Sequence, residues 1–252
     1  LIRLNGEIGS DSEISATNVK ISLKEVYENP GTKGLILAIN SPGGSPVQSG
    51  IINNEILRYK ALNPQIPVYA VVEDVCASGG YYIAVAADKI FVDKASIVGS
   101  IGVIMNGFGF DKAIESLGIE RRLITSGQNK AILDPFLPED PIQKDFVQKL
   151  LNEVHNQFID VVKKGRGSKL IVNQDTFSGL FWSGESAIRL GLADNFGDID
   201  SVAREIVKHE KIIDFTTQSS FADRFAKKLG SSIGSSLRVD RFKNYLKNIE
   251  LK

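Results

Sequence analysis

The stretch Asp74-Val75-Cys76-Ala77-Ser78-Gly79-Gly80-Tyr81-Tyr82 decides how this chain can fold. An apolar, β-branched run precedes it over residues 67–72, and an Ala-rich segment follows over residues 81–87. This order predicts a strand, a tight turn of small residues and then a helix. Ser78 would lie at the helix N-terminus, where free backbone N–H groups stabilise negative charge. From this stretch alone Ser78 is either a helix cap or a nucleophile with half of an oxyanion hole beside it.

The segments before this stretch alternate in the same way. The pattern predicts strands over residues 1–8, 34–40 and 68–72, and helices over residues 15–29 and 46–62. The second of these strands is continuously apolar, which is typical of a strand buried on both faces. Short connections between alternating strands and helices predict βαβ units with parallel strands. The expected fold class is therefore α/β.

The second half of the chain repeats this pattern more loosely. We expect strands over residues 89–92, 97–104 and 122–125, and helices over residues 111–117, 138–164, 183–191 and 198–208. From Thr216 the composition shifts to Ser, Lys and Arg with a few spaced apolar residues. We therefore divide the chain into a domain over residues 1–215 and a C-terminal tail over residues 216–252, which we expect to be partly helical and weakly packed.

The composition argues against several classes of function. Thirty basic and thirty acidic side chains leave no net charge, so nothing indicates a nucleic-acid partner. One cysteine and two histidines argue against a disulfide framework and a metal centre, and we expect no cofactor. No apolar run reaches the length of about 20 residues that a membrane-spanning helix needs. The chain opens without methionine inside an expected strand, so we expect that a natural N-terminal segment has been removed, with any signal or anchor it carried.

A pair of glycines is expected close to Ser78. Gly43 and Gly44 follow a buried strand, and sites in open α/β sheets form beyond the carboxyl ends of the strands. One N–H group from this pair and one from Gly79 would make an oxyanion hole with two donors. The alternatives are a plain glycine turn and a phosphate cradle, although the glycine patterns typical of phosphate loops are absent from the sequence.

A serine nucleophile needs a base, and the sequence favours lysine over histidine. His155 lies on the expected long helix and His209 near the end of another, and we expect both at the surface. A Ser-His-Asp triad is therefore disfavoured. Lys130 is the best candidate, since it lies in a polar loop with few acidic residues. Composition and spacing alone, however, indicate only that Lys130 is a charged side chain in contact with solvent.

Four segments together resemble the signal peptide peptidase A family. In order, they are Asn40-Ser41-Pro42-Gly43-Gly44-Ser45, Ala77-Ser78-Gly79-Gly80-Tyr81-Tyr82, Val98-Gly99-Ser100-Ile101-Gly102-Val103, and Ser126-Gly127-Gln128-Asn129-Lys130 with Asp134-Pro135-Phe136. Each segment alone is weak evidence for the family, but the combination of the four is highly specific. The resemblance extends from residue 1 to about residue 210. It implies the Clp protease and crotonase fold, a superhelix of ββα units with parallel sheets flanked by helices.

The resemblance also implies a role for each matching residue. Ser78 corresponds to the nucleophile of a Ser-Lys dyad, and Lys130 corresponds to its general base. Ser100 matches the serine that holds the lysine amine by a hydrogen bond. Gly79 and Gly44, or its neighbour Gly43, match the oxyanion-hole positions.

The biological setting is likewise an implication of the resemblance. The family cuts signal peptides after their release, and other apolar peptides, at the outer face of the cytoplasmic membrane. It implies a membrane anchor upstream of residue 1 and a homo-oligomeric ring or dome. In the short members neighbouring subunits complete each dyad, so Ser78 and Lys130 would meet only in the oligomer.

Three other functions are weighed against this one. A crotonase-like acyl-CoA enzyme would share the fold and the oxyanion hole without needing a serine nucleophile. A membrane-associated scaffold with a dead site is disfavoured by the joint presence of Ser78, Ser100 and Lys130. A triad protease of the Clp type would need a histidine close to the position that Val103 occupies, so we set it aside.

Overall fold

A parallel β-sheet forms the centre of the chain in the computed structural model, which describes residues 1–217. Its strands are β1 (Ile2–Asn5), β2 (Leu35–Ser41), β3 (Val68–Ala77), β4 (Lys89–Val92), β5 (Ile97–Gly99), β6 (Phe181–Ser183) and β7 (Asn195–Phe196). Strands β1, β2, β3, β4 and β7 are parallel neighbours in that order. Strand β5 pairs parallel with the end of β3, and β6 lies antiparallel to β5.

Helices connect the strands. They are α1 (Ala16–Glu28), α2 (Pro46–Leu62), α3 (Gly79–Ala84), α4 (Asp111–Ser116), α5 (Pro141–Arg166), α6 (Gly184–Arg189) and α7 (Ile199–Ser201), with a 3₁₀ turn over Gly167–Lys169 and a π-helical segment over Val202–Val207. Ser15, Ser45 and Ser183 cap α1, α2 and α6, because each side chain accepts a hydrogen bond from an N–H group in the first turn. Within residues 1–217, none of these helices combines the length and hydrophobicity needed to cross a membrane.

The sheet is covered on both faces. Leu37 of β2 belongs to a core that also contains residues of α1, α2, α3 and α5. Its neighbour Ala38 points to the opposite face and packs in a second core with Val202 and Ala203. Successive residues of a strand face opposite sides, so a strand buried on both sides is apolar throughout. The prediction of an α/β fold with a parallel sheet flanked by helices is confirmed.

Two of the strand predictions were wrong, one in its length and one altogether. The strand expected over residues 97–104 ends at Gly99, and residues 122–125 form no strand. In this part of the chain Ile124 is 98% exposed and finds no neighbouring strand to pair with. A strand without a ladder partner leaves its backbone groups to water, which explains why an apolar pattern alone did not produce one.

The predicted tail over residues 216–252 lies, apart from its first two residues, outside the described residues. The division of the chain into two domains therefore stays a prediction.

Candidate active site

Ser78 occupies a strained turn between β3 and α3. Its backbone has φ 51° and ψ −120°, a conformation that residues with a side chain rarely adopt. The Ser78 N–H group donates to Gly99 O at 2.8 Å, and Tyr82 N–H donates to Ser78 O at 2.9 Å, so the turn is held from both sides. The Ser78 side chain makes no capping hydrogen bond. Ser78 thus occupies the N-cap position without using its hydroxyl as a cap, and the turn resembles the strand-turn-helix elbow that exposes a nucleophile.

Ser100 lies beside Ser78 because of the register between two strands. Ala77 at the end of β3 pairs with Gly99 at the end of β5, so the residues that follow them leave the sheet at the same edge. Ser100 also has a positive φ of 51°, and its N–H group donates to Leu180 O at 2.7 Å. Both serines line one cleft with a volume of about 810 Å³.

The two glycine loops meet next to Ser78. A Cβ atom added to Gly43 would lie 2.8 Å from both Gly79 N and Ser78 Cβ, so only glycine allows this approach. The Gly43 N–H group donates to Ser41 Oγ at 3.2 Å and is therefore already used. The N–H groups of Gly44 and Gly79 donate to no acceptor within residues 1–217. This geometry favours Gly44 over Gly43 as the partner of Gly79 in an oxyanion hole.

The cleft is mainly apolar and uncharged. Among the described residues that line it, no side chain is acidic, basic or histidine. Helix α5 supplies one wall with Val154 and Phe158, and Tyr82 of α3 packs against Phe158 with ring centroids 5.1 Å apart. Other apolar lining residues are Pro42, Val47, Ile51 and Ile104. We did not predict this wall from the sequence.

Lys130 lies outside this cleft in the single chain. It is exposed in a turn where its N–H group donates to Gly127 O at 3.1 Å, and it does not line the pocket around Ser78. One chain thus brings together Ser78, Ser100 and the two glycine N–H groups, and it does not bring Lys130 to them. The assignment of Lys130 as the base stays a prediction.

His155 is not the surface residue that we expected. It is half-buried on α5, and its Nε2 lies 3.0 Å from Ile101 O, next to Ser100. Because the carbonyl oxygen can only accept, Nε2 must carry the hydrogen. The contact spans 54 residues of sequence, and no local pattern indicates it.

Cys76 is packed away from the cleft lining. It is fully buried on β3, and burial raises the pKa of its thiol. A buried thiol of raised pKa is a poor nucleophile, so Cys76 is a packing residue. Within residues 1–217 no group of three or more His, Cys, Asp or Glu side chains could hold a metal ion.

Comparison with known proteins identifies the family. The model of peptidase family S49 matches residues 60–213. The chain belongs to peptidase family S49. The predicted resemblance to signal peptide peptidase A is thereby confirmed. Membership of this family supports the assignment of the chain as a serine peptidase.

Several curated proteins are similar over most of this chain. A putative signal peptide peptidase SppA of Enterococcus faecium is 31% identical over 207 residues, which cover 82% of this chain and 60% of that protein. A putative protease of Synechocystis sp. is 32% identical over 199 residues, which cover 78% of this chain and 68% of that protein. A Brucella abortus protein named Na(+)/H(+) antiporter NhaA is 44% identical over 210 residues, but these cover 81% of this chain and only 28% of that protein. The chain thus spans less than two thirds of the first and third of these relatives.

Among solved structures, a ClpP1 mutant from Listeria monocytogenes aligns with a TM-score of 0.49 and 16% identity. The alignment covers 78% of this chain and 90% of that one.

Proposed function

We propose that this chain is a serine endopeptidase in which Ser78 is the nucleophile and Lys130 of a neighbouring subunit is the general base. The observation that carries the proposal is the Ser78 turn. Its hydroxyl is not used as a helix cap, and the N–H groups of Gly44 and Gly79 beside it have no acceptor within the described chain. A nucleophile next to two unpaired donors is the arrangement that acyl transfer requires.

The reaction follows from these positions. Neutral Lys130 takes the proton from Ser78 Oγ, which attacks the carbonyl carbon of the scissile peptide bond. The Gly44 and Gly79 N–H groups bind the oxyanion, and losing one such donor costs about 3 kcal/mol of transition-state stabilisation. Lys130 then protonates the leaving amine as the C–N bond breaks. Water activated by Lys130 hydrolyses the acyl-enzyme and restores Ser78.

The lack of charge in the cleft supports lysine as the base. A lysine accepts a proton only when it is neutral, and removal from water without a carboxylate partner favours the neutral form. The described lining of the cleft offers no carboxylate. Lys130 is exposed in the single chain, so we infer that the cleft of a neighbouring subunit covers it, with Ser100 as its hydrogen-bond partner.

The substrates that we infer are released signal peptides and other apolar peptides. The apolar lining of the cleft supports this class, since apolar pockets bind apolar side chains. The name of the Enterococcus faecium relative points the same way. A membrane anchor upstream of residue 1 and a location at the outer face of the cytoplasmic membrane belong to the same proposal, and they rest on the family resemblance alone.

The test is a covalent label on Ser78. A fluorophosphonate should add one adduct to the wild-type protein, read by intact mass, and none to Ser78→Ala. Lys130→Ala should lose both peptide hydrolysis and rapid labelling, because no base then activates the hydroxyl. Lys112→Ala is the matched control, since Lys112 is also an exposed lysine of the segment that follows Ser100, and it should label and cleave like the wild type.

Two outcomes would contradict the proposal. Peptide hydrolysis that survives in Lys130→Ala would exclude the dyad. An unlabelled wild-type protein would favour a crotonase-like enzyme, which needs no serine nucleophile.

A further inference from the structure

The peptide between Gly43 and Gly44 is held by groups outside the glycine pair. Gly43 O accepts a hydrogen bond from Ile8 N–H at 2.8 Å, and Ser45 N–H donates to Ile8 O at 2.8 Å. In a trans peptide the C=O and N–H groups point in opposite directions. Fixing Gly43 O toward Ile8 therefore aims the Gly44 N–H group away from Ile8.

Ser41 fixes the preceding peptide. Its side chain is fully buried, and its Oγ accepts the Gly43 N–H group at 3.2 Å. Without this acceptor the Gly43 N–H group would be a buried donor with no partner, which is costly. With it, Gly44 N–H is the donor of this loop that stays free.

Two adjacent glycines make this restraint necessary. Gly43 and Gly44 have φ values of 106° and 143°, and glycine passes between positive and negative φ at little cost. A rotated Gly43–Gly44 peptide would turn the Gly43 carbonyl oxygen toward the substrate, where it would repel an oxyanion. The side chain of Ile8 also reaches the site, since Ile8 Cδ1 lies 3.3 Å from the position of a Cβ atom on Gly79.

We propose that Ser41 and Ile8 are positioning residues for the oxyanion hole. The Ile8 backbone holds the Gly43–Gly44 peptide, and the Ser41 hydroxyl holds the Pro42–Gly43 peptide before it, so that Gly44 N–H is presented to the substrate carbonyl. They act through these two peptides and touch no reacting atom. The inference rests on the proposed function, because an oxyanion hole matters only if Ser78 attacks a carbonyl.

The test separates binding of the transition state from binding of the substrate. Ser41→Ala should lower kcat about tenfold, the effect of about one hydrogen bond, and leave KM nearly unchanged. A peptide aldehyde adds reversibly to Ser78 Oγ and places its oxygen in the oxyanion hole, so its affinity should fall by the same factor as kcat. Substrate affinity measured in a Ser78→Ala background should not change when Ser41→Ala is added.

Ser96→Ala is the matched control. Ser96 is also buried, and its Oγ also accepts a backbone N–H group, that of Asp93 at 3.0 Å, but it does not line the cleft. Because its Oγ also donates to Glu73 O at 2.6 Å, Ser96→Ala should lose at least as much stability as Ser41→Ala, with kcat and aldehyde affinity unchanged. A second variant tests Ile8 without changing its side chain. An ester in place of the Ile8 amide removes the N–H group that donates to Gly43 O. This variant should also lower kcat and aldehyde affinity together. This variant decides the question if Ser41→Ala does not fold.

Unchanged kcat and aldehyde affinity in the folded variants would overturn the inference, as would equal losses in Ser96→Ala. The proposed function fails separately, if the wild-type protein forms no adduct on Ser78. Labelling of the wild type together with full activity of Ser41→Ala would reject the positioning role alone.

Discussion

Strain at Ser78 is the clearest residue-scale sign of function. A residue with a side chain at φ 51° and ψ −120° costs the fold about 1–3 kcal/mol. The backbone bonds to Gly99 O and from Tyr82 N–H hold it there. Glycine would fit this conformation without strain, whereas the serine places a hydroxyl at the cleft, where our proposal uses it as the nucleophile.

We therefore predict that Ser78→Gly is inactive but more stable than Ser78→Ala, by about 1 kcal/mol. Both variants remove the hydroxyl that we propose as the nucleophile, and only glycine relieves the backbone strain. Urea denaturation of the two variants measures the difference. Equal midpoints would mean that the turn is not strained.

A second residue-scale prediction concerns Asp194. Burial acts to raise its pKa, but hydrogen bonds from Arg166, Lys169 and Ile90 N–H outweigh that effect and lower the pKa to about 2. A carboxylate whose folded pKa lies below its unfolded pKa stabilises the fold above the unfolded value and loses that contribution as pH falls. The free energy of unfolding should therefore fall by about 2 kcal/mol between pH 4 and pH 2 from this group.

The measurement is urea denaturation at a series of pH values. Asp194→Asn should be less stable at pH 7, because Arg166 would be left as a buried charge with no carboxylate. Its stability should also vary less than that of the wild type between pH 4 and pH 2. If Asp194→Asn loses as much stability as the wild type between pH 4 and pH 2, other carboxylates cause that loss.

At the scale of elements, α5 is the structural link between the core and the cleft. Its central part lines the cleft, and its last turn is anchored by Arg166, whose Nε donates to Gly191 O at 2.7 Å. Tyr81 of α3 donates its hydroxyl to Leu192 O at 2.8 Å, so α3 and α5 are tied to the same loop. The helix that begins after Ser78 and the helix that walls the cleft thus share one anchor.

Gly165 permits the close approach of these two helices. A Cβ atom at Gly165 would clash with Val85 O, at the end of α3. Gly165→Ala should destabilise the protein by about 1–3 kcal/mol, despite the better helix propensity of alanine.

Gly50→Ala is the matched control inside α2, where the added Cβ would meet its nearest atom, Tyr82 Oη, at an ordinary 3.8 Å. It should raise stability by up to about 1 kcal/mol, and destabilisation of both variants to the same extent would contradict the packing argument.

The elements that could be predicted are those whose signal is local. The apolar run of β2 and the capping serines, such as Ser45, lie within a few residues of the structure that they determine. The contacts that could not be predicted join distant parts of the chain, such as His155 with Ile101 O and Ile8 with Gly43 O. In the same way Ser41 appeared only as a motif residue, because its role depends on the direction of a peptide plane.

At the scale of the whole molecule, the segment between β5 and α5 is unusually apolar for its exposure. Within the described chain many of its large apolar side chains are exposed, and they include Ile104, Met105, Phe108, Leu117, Ile119 and Ile124. The exposed apolar side chains continue onto the first half of α5 with Ile142 and Phe146. Exposed apolar surface of this kind marks interaction sites, and a neighbouring subunit is the partner that our proposal requires. The strand that we predicted over residues 122–125 was wrong for the single chain, and its apolar residues are part of this surface.

The last prediction tests whether neighbouring subunits share the dyad. Ser78→Ala and Lys130→Ala should each be inactive alone. If Ser78 of one subunit works with Lys130 of the next, equal mixtures that exchange subunits contain an intact pair at about one site in four, and should recover about a quarter of wild-type activity. Peptide hydrolysis is measured after co-refolding, and sedimentation confirms that mixed oligomers form.

A mixture of Ser78→Ala with Ser78→Gly is the control and should stay inactive, because neither partner supplies a nucleophile. Mixed oligomers of the first pair with no activity would place the base within the same chain as Ser78, and Lys130 would then have to enter the cleft by a movement of its own loop.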